Sequence, residues 1–176
     1  RQHDRKSDVL QAVWQSLKYD GHSCPSYGHA LHAVGDESGE RPGEVASGMA
    51  CDFIKAELGR WLHEASAAAS DADVKRAMDI CVDNANQAIF GAANSNPTYA
   101  GMGTTLVLGV FRPGRLLMGH IGDSRGYRWR NGVLQQITKD HSLLQEQIDA
   151  GMLTPEQAQY AANKNLVTRA LGVEDM

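Results

Sequence analysis

Two periodicities divide this 176-residue chain. From Val45 to Ile89 apolar positions recur every three or four residues, the spacing that lines one face of a helix. Val45, Met49, Phe53, Ile54, Leu58, Trp61 and Leu62 form one stripe; Val74, Ala77, Met78, Cys81, Ala85, Ala88 and Ile89 form a second. Ser70, with Asp73 three positions on, marks the start of the second helix as a capping box. The stripes predict an antiparallel helix pair sharing one apolar side. Past residue 100 the pattern shortens into strand-length runs: GTTLVLGVF (103–111), RLLMGHIG (115–122), YRWR (127–130) and VLQQIT (133–138). Pro113-Gly114 and Asn131-Gly132 separate them with turn chemistry, and Asn-Gly is the strongest short hairpin signal. These runs predict an antiparallel meander. Ser142 with Gln145, and Thr154-Pro155 with Gln157, predict two short capped helices after it. Before Val45, residues 8–14 read as a short strand and Tyr19 to Tyr27 as turn chemistry; HALHAV (29–34) reads as a strand ending at Gly35-Asp36. Strands, helix pair, meander and small helices in that order predict sheets covered by helices, an α+β layered domain.

Three acids sit at the ends of these elements. Asp36 follows a strand and precedes a Gly-containing polar loop feeding a helix; Asp123 ends a strand; Asp8 begins one. A carboxylate at a strand mouth is expensive unless a positive charge faces it, whether a cationic side chain, a helix N-terminus or a metal ion. Oxygen ligands at strand ends beside close-approaching backbone are what magnesium or manganese needs. Taken singly, each acid is more often a turn-former or a cap than a metal ligand.

Together with their surroundings they carry a resemblance. GEVAS (Gly43 to Ser47), GMGTTLVLG (Gly101 to Gly109), GHIGDSRGYRWRNGVLQQITKDHS (Gly119 to Ser142) and LVTRALG (Leu166 to Gly172) resemble the metal-dependent protein phosphatases of the PPM, or type-2C, family. The segment after Ser142 is similar to the flap of its bacterial members. The resemblance implies a four-layer α-β-β-α sandwich of two antiparallel sheets with helices outside. It implies serine/threonine protein phosphatase activity. It further implies two manganese or magnesium ions that would lower the pKa of a shared water and aim it at phosphorus, so that no side chain is the nucleophile and no phospho-enzyme is expected.

The same resemblance assigns Asp36 to the carboxylate that bridges both metals, and Glu37 to the position lending a backbone carbonyl. Asp8 falls on the acid that holds a metal through water, and Asp123 on the ligand of a third, weaker metal. It further implies a phosphorylated protein as substrate, a cognate serine/threonine kinase as counterpart, and bacterial signalling as the setting.

Three departures from the family pattern are visible. The loop reads Asp36-Glu37-Ser38-Gly39-Glu40, less glycine-rich than the family's and with two added carboxylates. With Asp8 as the metal acid, the family's phosphate-holding arginine falls on His3; Arg1 and Arg5 lie nearby, out of register, and are the candidates for substrate phosphate. The chain opens on Arg1 and stops at Met176, before the family's two later metal acids, so the expectation is one phosphatase domain over residues 1–176, incomplete at its C-terminus. An alternative of another class follows from these departures: a phosphatase-like regulatory or protein-binding module with impaired metal chemistry.

Composition and charge narrow the remaining choices. With 42% hydrophobic and 22% charged residues the chain can build a core. A net charge of -4 provides no basic excess for nucleic acid, and no apolar run approaches the ~18 residues of a membrane span. Cys24, Cys51 and Cys81 are odd in number and far apart, which predicts reduced thiols and a cytoplasmic location. Cys24 with His29 and His32 could suggest a zinc half-site, but positions three apart on a strand face opposite ways. His120 reads as a packed or edge histidine, and His141 as a residue fixing the start of the following helix. Arg125 reads as a structural bond partner rather than a phosphate ligand. Gly101-Met102-Gly103 looks like a nucleotide loop but leads into a strand, which excludes a Rossmann site.

Overall fold

The computed structural model describes residues 31–32, 42–65, 69–161 and 166–173. The strand read at 8–14 and the turn at Tyr19 to Tyr27 lie outside them. Helix α1 spans Pro42–Glu64 and α2 spans Asp71–Ser95. Pro42 suits the first turn of α1, where its missing N–H has no intrahelical partner to lose. Ser70 accepts from the Asp73 backbone N–H while Asp73 accepts from the Ser70 N–H, so the capping box at α2 is complete. Such a cap contributes about 1 kcal/mol.

The two helices pack together through a line of buried residues spaced four apart on α1: Ala46, Ala50, Ile54 and Leu58. Val45, Met49 and Phe53, part of the apolar stripe, flank that line half-buried. Two alanines open this line, where a small side chain lets two helix backbones approach closely. Val74, Ala77, Met78, Cys81, Ala85, Ile89 and Ala93 supply the buried face of α2, as its stripe predicts, with Ala88 at the margin.

Strands β1 (Leu31–His32), β2 (Leu106–Arg112) and β3 (Arg115–Ile121) form one antiparallel sheet in that order. β1 pairs Leu31 with Leu108 and His32 with Val107; β2 pairs Val110 with Leu117 and Val107 with His120. Leu106, Leu108, Val110 and Leu117 join the helical core, so the helices cover this face. Val107 is also buried, and alternation along a strand turns it to the opposite face. The sheet is therefore covered on both sides at its centre, as a sandwich requires. The β2–β3 turn uses Gly114 at φ 75°, the conformation expected of Pro113-Gly114.

β4 (Tyr127–Arg130) and β5 (Val133–Gln136) form a separate two-stranded hairpin, closed by Asn131 at φ 51° and Gly132 at φ 78°. Both central residues at positive φ match the right-handed twist of the strands. Helices α3 (Leu143–Asp149) and α4 (Pro155–Ala158) follow. Thr154 and Gln157 make a complete capping box. Ser142 caps α3 one way only: it accepts from the Gln145 N–H, while the Gln145 amide reaches Asp149 instead. Among the described residues no helix is long and apolar enough to cross a membrane.

Candidate functional site

The end of β3 runs into Gly122-Asp123-Ser124-Arg125-Gly126, and the chain returns from β5 through Thr138-Lys139-Asp140-His141. These two segments are bonded together along their length. The Gly122 N–H donates to His141 Nδ1 at 3.1 Å, and the His141 N–H donates back to the Gly122 carbonyl at 3.0 Å. Ser124 and Thr105 share a hydroxyl hydrogen bond of 2.7 Å. Arg125 forks onto Asp140, with Nε 3.0 Å from both carboxylate oxygens and a terminal nitrogen 2.7 Å from Oδ2. The Gly126 N–H donates to the buried Thr138 hydroxyl, and its carbonyl accepts from the Ile137 N–H. His120 Nε2 meets the Lys139 carbonyl at 2.6 Å, and its ring stacks on His141 with centroids 4.5 Å apart.

Asp123 is the exception inside this set. It is half-buried, and among the described residues its carboxylate has no hydrogen bond and no ion pair. Its neighbours on both sides are pinned, so it is held in place without being neutralised. A side chain of this kind suits a hard cation, which needs charged oxygen with its lone pairs free. Arg125 does not supply that charge: its guanidinium is committed to Asp140, whose hydrogen bond raises the arginine pKa above its ordinary value against the opposing effect of burial. The reading of Arg125 as structural therefore holds.

Two glycine-bearing motifs position this turn. Gly122 sits at φ 97°, and a Cβ there would lie 2.3 Å from Thr105 Cγ2. Gly103 faces the Leu171 carbonyl, 2.9 Å from where its Cβ would stand, and Thr104 and Leu171 exchange both backbone bonds. The Gly-Met-Gly stretch is thus a backbone contact with the Leu166–Gly172 segment, not a nucleotide loop. That segment also bonds His141, whose carbonyl accepts from the Thr168 N–H at 2.9 Å.

Asn86 is the residue that the apolar pattern misses. It lies 2% exposed on the core face of α2, accepts from the Gly172 N–H at 2.6 Å and donates to the Val173 carbonyl at 2.9 Å. A polar residue falling on an apolar helical stripe is the only local signal of it.

Of the site residues expected from the sequence, the structure places Asp123. Asp8, Asp36, Glu37, Arg1 and Arg5 lie outside the described residues, as do Cys24 and His29. Among the described residues no three His, Cys, Asp or Glu side chains converge on a metal position. His141 corrects one expectation. Its ring is directed to Gly122, and the start of α3 is fixed by the Ser142 hydroxyl instead.

The protein phosphatase 2C family matches residues 21–165. The chain belongs to that family. The serine/threonine phosphatase stp of Listeria monocytogenes is 36% identical over 136 residues, covering 77% of this chain and 52% of the relative. The protein phosphatase PhpP of Streptococcus pneumoniae is 32% identical over 171 residues, 96% of this chain and 67% of that protein. A crystal structure of the catalytic domain of the serine/threonine protein phosphatase PstP, in complex with two manganese ions, superposes with a TM-score of 0.61 at 29% identity, covering 96% of this chain and 67% of that one. The chain spans about half the length of curated relatives such as stp. These likenesses bear out the α+β phosphatase-like architecture expected from the motifs. They also place the pinned Gly122–Gly126 turn inside the stretch that matches the protein phosphatase 2C family.

Proposed function

We propose that this chain forms part of a metal-dependent serine/threonine phosphatase that hydrolyses phosphomonoesters on proteins. The observation that carries the reading is Asp123: a carboxylate without a partner among the described residues, on a turn whose other residues are bonded on every side. Membership of the family supports the same chemistry. Manganese or magnesium, when bound, supplies a water of lowered pKa and charge to offset the phosphate oxygens. Asp36, the Glu37 carbonyl and Asp8 are the proposed ligands of the two core ions, and Asp123 the ligand of a third. Arg1 and Arg5 are the proposed contacts to substrate phosphate. Asp123 can serve a third ion because its backbone is fixed before any ligand arrives, so little ordering cost falls on binding. A phosphoprotein, a cognate serine/threonine kinase that makes it, and a cytoplasmic setting complete the proposal. Among the described residues Cys51 and Cys81 form no disulfide, which is compatible with that setting.

The test is calorimetric manganese titration and manganese-dependent turnover of a phosphopeptide by the full-length protein. Asp36→Ala is expected to abolish turnover and the tight phase of manganese uptake while the protein stays folded. Asp123→Asn is expected to remove only a weaker phase and to lower turnover. Undiminished manganese binding by Asp36→Ala, or turnover that persists in chelator, refutes the assignment.

A further inference from the structure

We propose that His141 is a positioning residue that aims the Asp123 carboxylate, by holding the Gly122 N–H on its ring nitrogen. The inference rests on the reading of Asp123 as a metal ligand. Gly122 is buried and sits at φ 97°, a conformation that its lack of Cβ permits but does not enforce. Something outside the residue must therefore fix it. His141 does so from both sides: its ring accepts the Gly122 N–H, and its own N–H donates to the Gly122 carbonyl. The first bond fixes the peptide plane before Gly122. The second fixes the plane that leads directly into Asp123. The direction in which the Asp123 Cα–Cβ bond leaves the turn follows from these two planes.

The ring state follows from its partners. A backbone N–H can only donate, so His141 Nδ1 carries no proton and Nε2 does. The Lys139 carbonyl can only accept, so His120 carries its proton on Nε2. The two rings then stack, 16° from parallel, and the stack sets the rotation of the His141 ring. The groups facing His141 are His120, Arg169, Asp140 and Glu146. Burial, then His120 and Arg169, push its pKa below the ordinary histidine value, against Asp140 and Glu146, which agrees with the neutral form. The Thr168 N–H on the His141 carbonyl anchors the same residue from a third direction.

The experiment compares His141→Asn, His141→Gln and His141→Phe in the full-length protein. Asparagine can place its carbonyl oxygen where Nδ1 stood; glutamine reaches the Nε2 position instead; phenylalanine keeps the stack and loses the acceptor. Three readouts apply: hydrogen exchange at the Gly122 amide, manganese affinity of the Asp123-dependent phase, and the same affinity for the Asp36-dependent phase. Groups that orient a metal ligand typically cost about 10–100-fold in affinity when removed. His141→Phe is expected to weaken the Asp123-dependent phase at least about tenfold and to speed Gly122 exchange similarly, with the Asp36-dependent phase unchanged. His141→Asn is expected to recover most of both losses and His141→Gln little. If Phe does not fold, the difference between Asn and Gln decides the same question. Equal behaviour of Asn and Gln, or an Asp123-dependent phase indifferent to all three, overturns the proposal while Asp36-dependent uptake stands. Absence of Asp36-dependent uptake in the wild type overturns the phosphatase reading instead, and this proposal with it.

Discussion

Replacing Asn86 by alanine should loosen the Leu166–Gly172 segment from the rest of the protein, and the cost can be worked from the structure. The side chain satisfies two backbone groups 86 and 87 residues away. The bond from the Gly172 N–H is buried, so truncation leaves that donor without a partner, at about 1–3 kcal/mol. The bond to the Val173 carbonyl is only partly buried, and Val173 is exposed, so water can replace the amide there and this loss counts for little. The void left by the amide adds on the order of 1 kcal/mol. The expected total is about 2–4 kcal/mol. Asn86→Asp separates hydrogen bonding from volume. It keeps an acceptor for Gly172 but turns a second oxygen toward the Val173 carbonyl and buries a charge, so it should cost at least as much as alanine. Urea unfolding of the intact protein measures both, and amide exchange at Leu171, Gly172 and Thr168 should quicken in step. A loss below about 0.5 kcal/mol for Asn86→Ala, the range of ordinary surface changes, would refute the reasoning.

Gly172→Ala should be of similar severity for a different reason: at φ 95° its Cβ would lie 2.6 Å from the Met102 carbonyl and 2.8 Å from Ile89 Cγ2, so about 2–4 kcal/mol of strain and overpacking is expected in thermal or urea unfolding. Gly114→Ala, at φ 75° with open space around it, should cost only about 1 kcal/mol, and parity between the two would disprove the clash. The hydrogen bond from Arg115, and then its charge, hold the Asp71 carboxyl below its ordinary value of 3.8. A depressed folded-state pKa gives stability that is present above 3.8 and lost as pH falls through the lowered value. The melting-temperature gap between wild type and Asp71→Asn should therefore be open at neutral pH and close in acid. A gap that widened in acid would reverse the sign. Asp71 is only half-buried and open to water on one side, so the gap should be small and shrink further in high salt.

The chain's own sequence determined those elements whose causes are local. Both helices, the turns at Pro113-Gly114 and Asn131-Gly132, and the caps at Ser70, Ser142 and Thr154 lie where the pattern puts them. Each depends on residues within about four positions, and a linear reading sees that range. The family could be recognised for a related reason: its motifs are short, contiguous and carry special backbone demands. The Gly-Asp-Ser-Arg turn, identified as a motif from sequence, shows its logic only in three dimensions. That Arg125 belongs to Asp140 is set across 15 residues, and that Gly122 belongs to His141 across 19. A reading of neighbours along the chain assigned His141 to the adjacent helix, because nothing in Asp140-His141-Ser142 points back to Gly122. The same limit hid Asn86, whose partners are brought to it by the Thr104–Leu171 bridge, and hid the alanine line of α1, because Ala46 and Ala50 are weak hydrophobes whose burial comes from how close α2 can approach. Hydrophobic period and turn chemistry are properties of a segment. Which polar group is left without a partner, as Asp123 is among the described residues, is a property of the whole packing, since it depends on every partner already being taken.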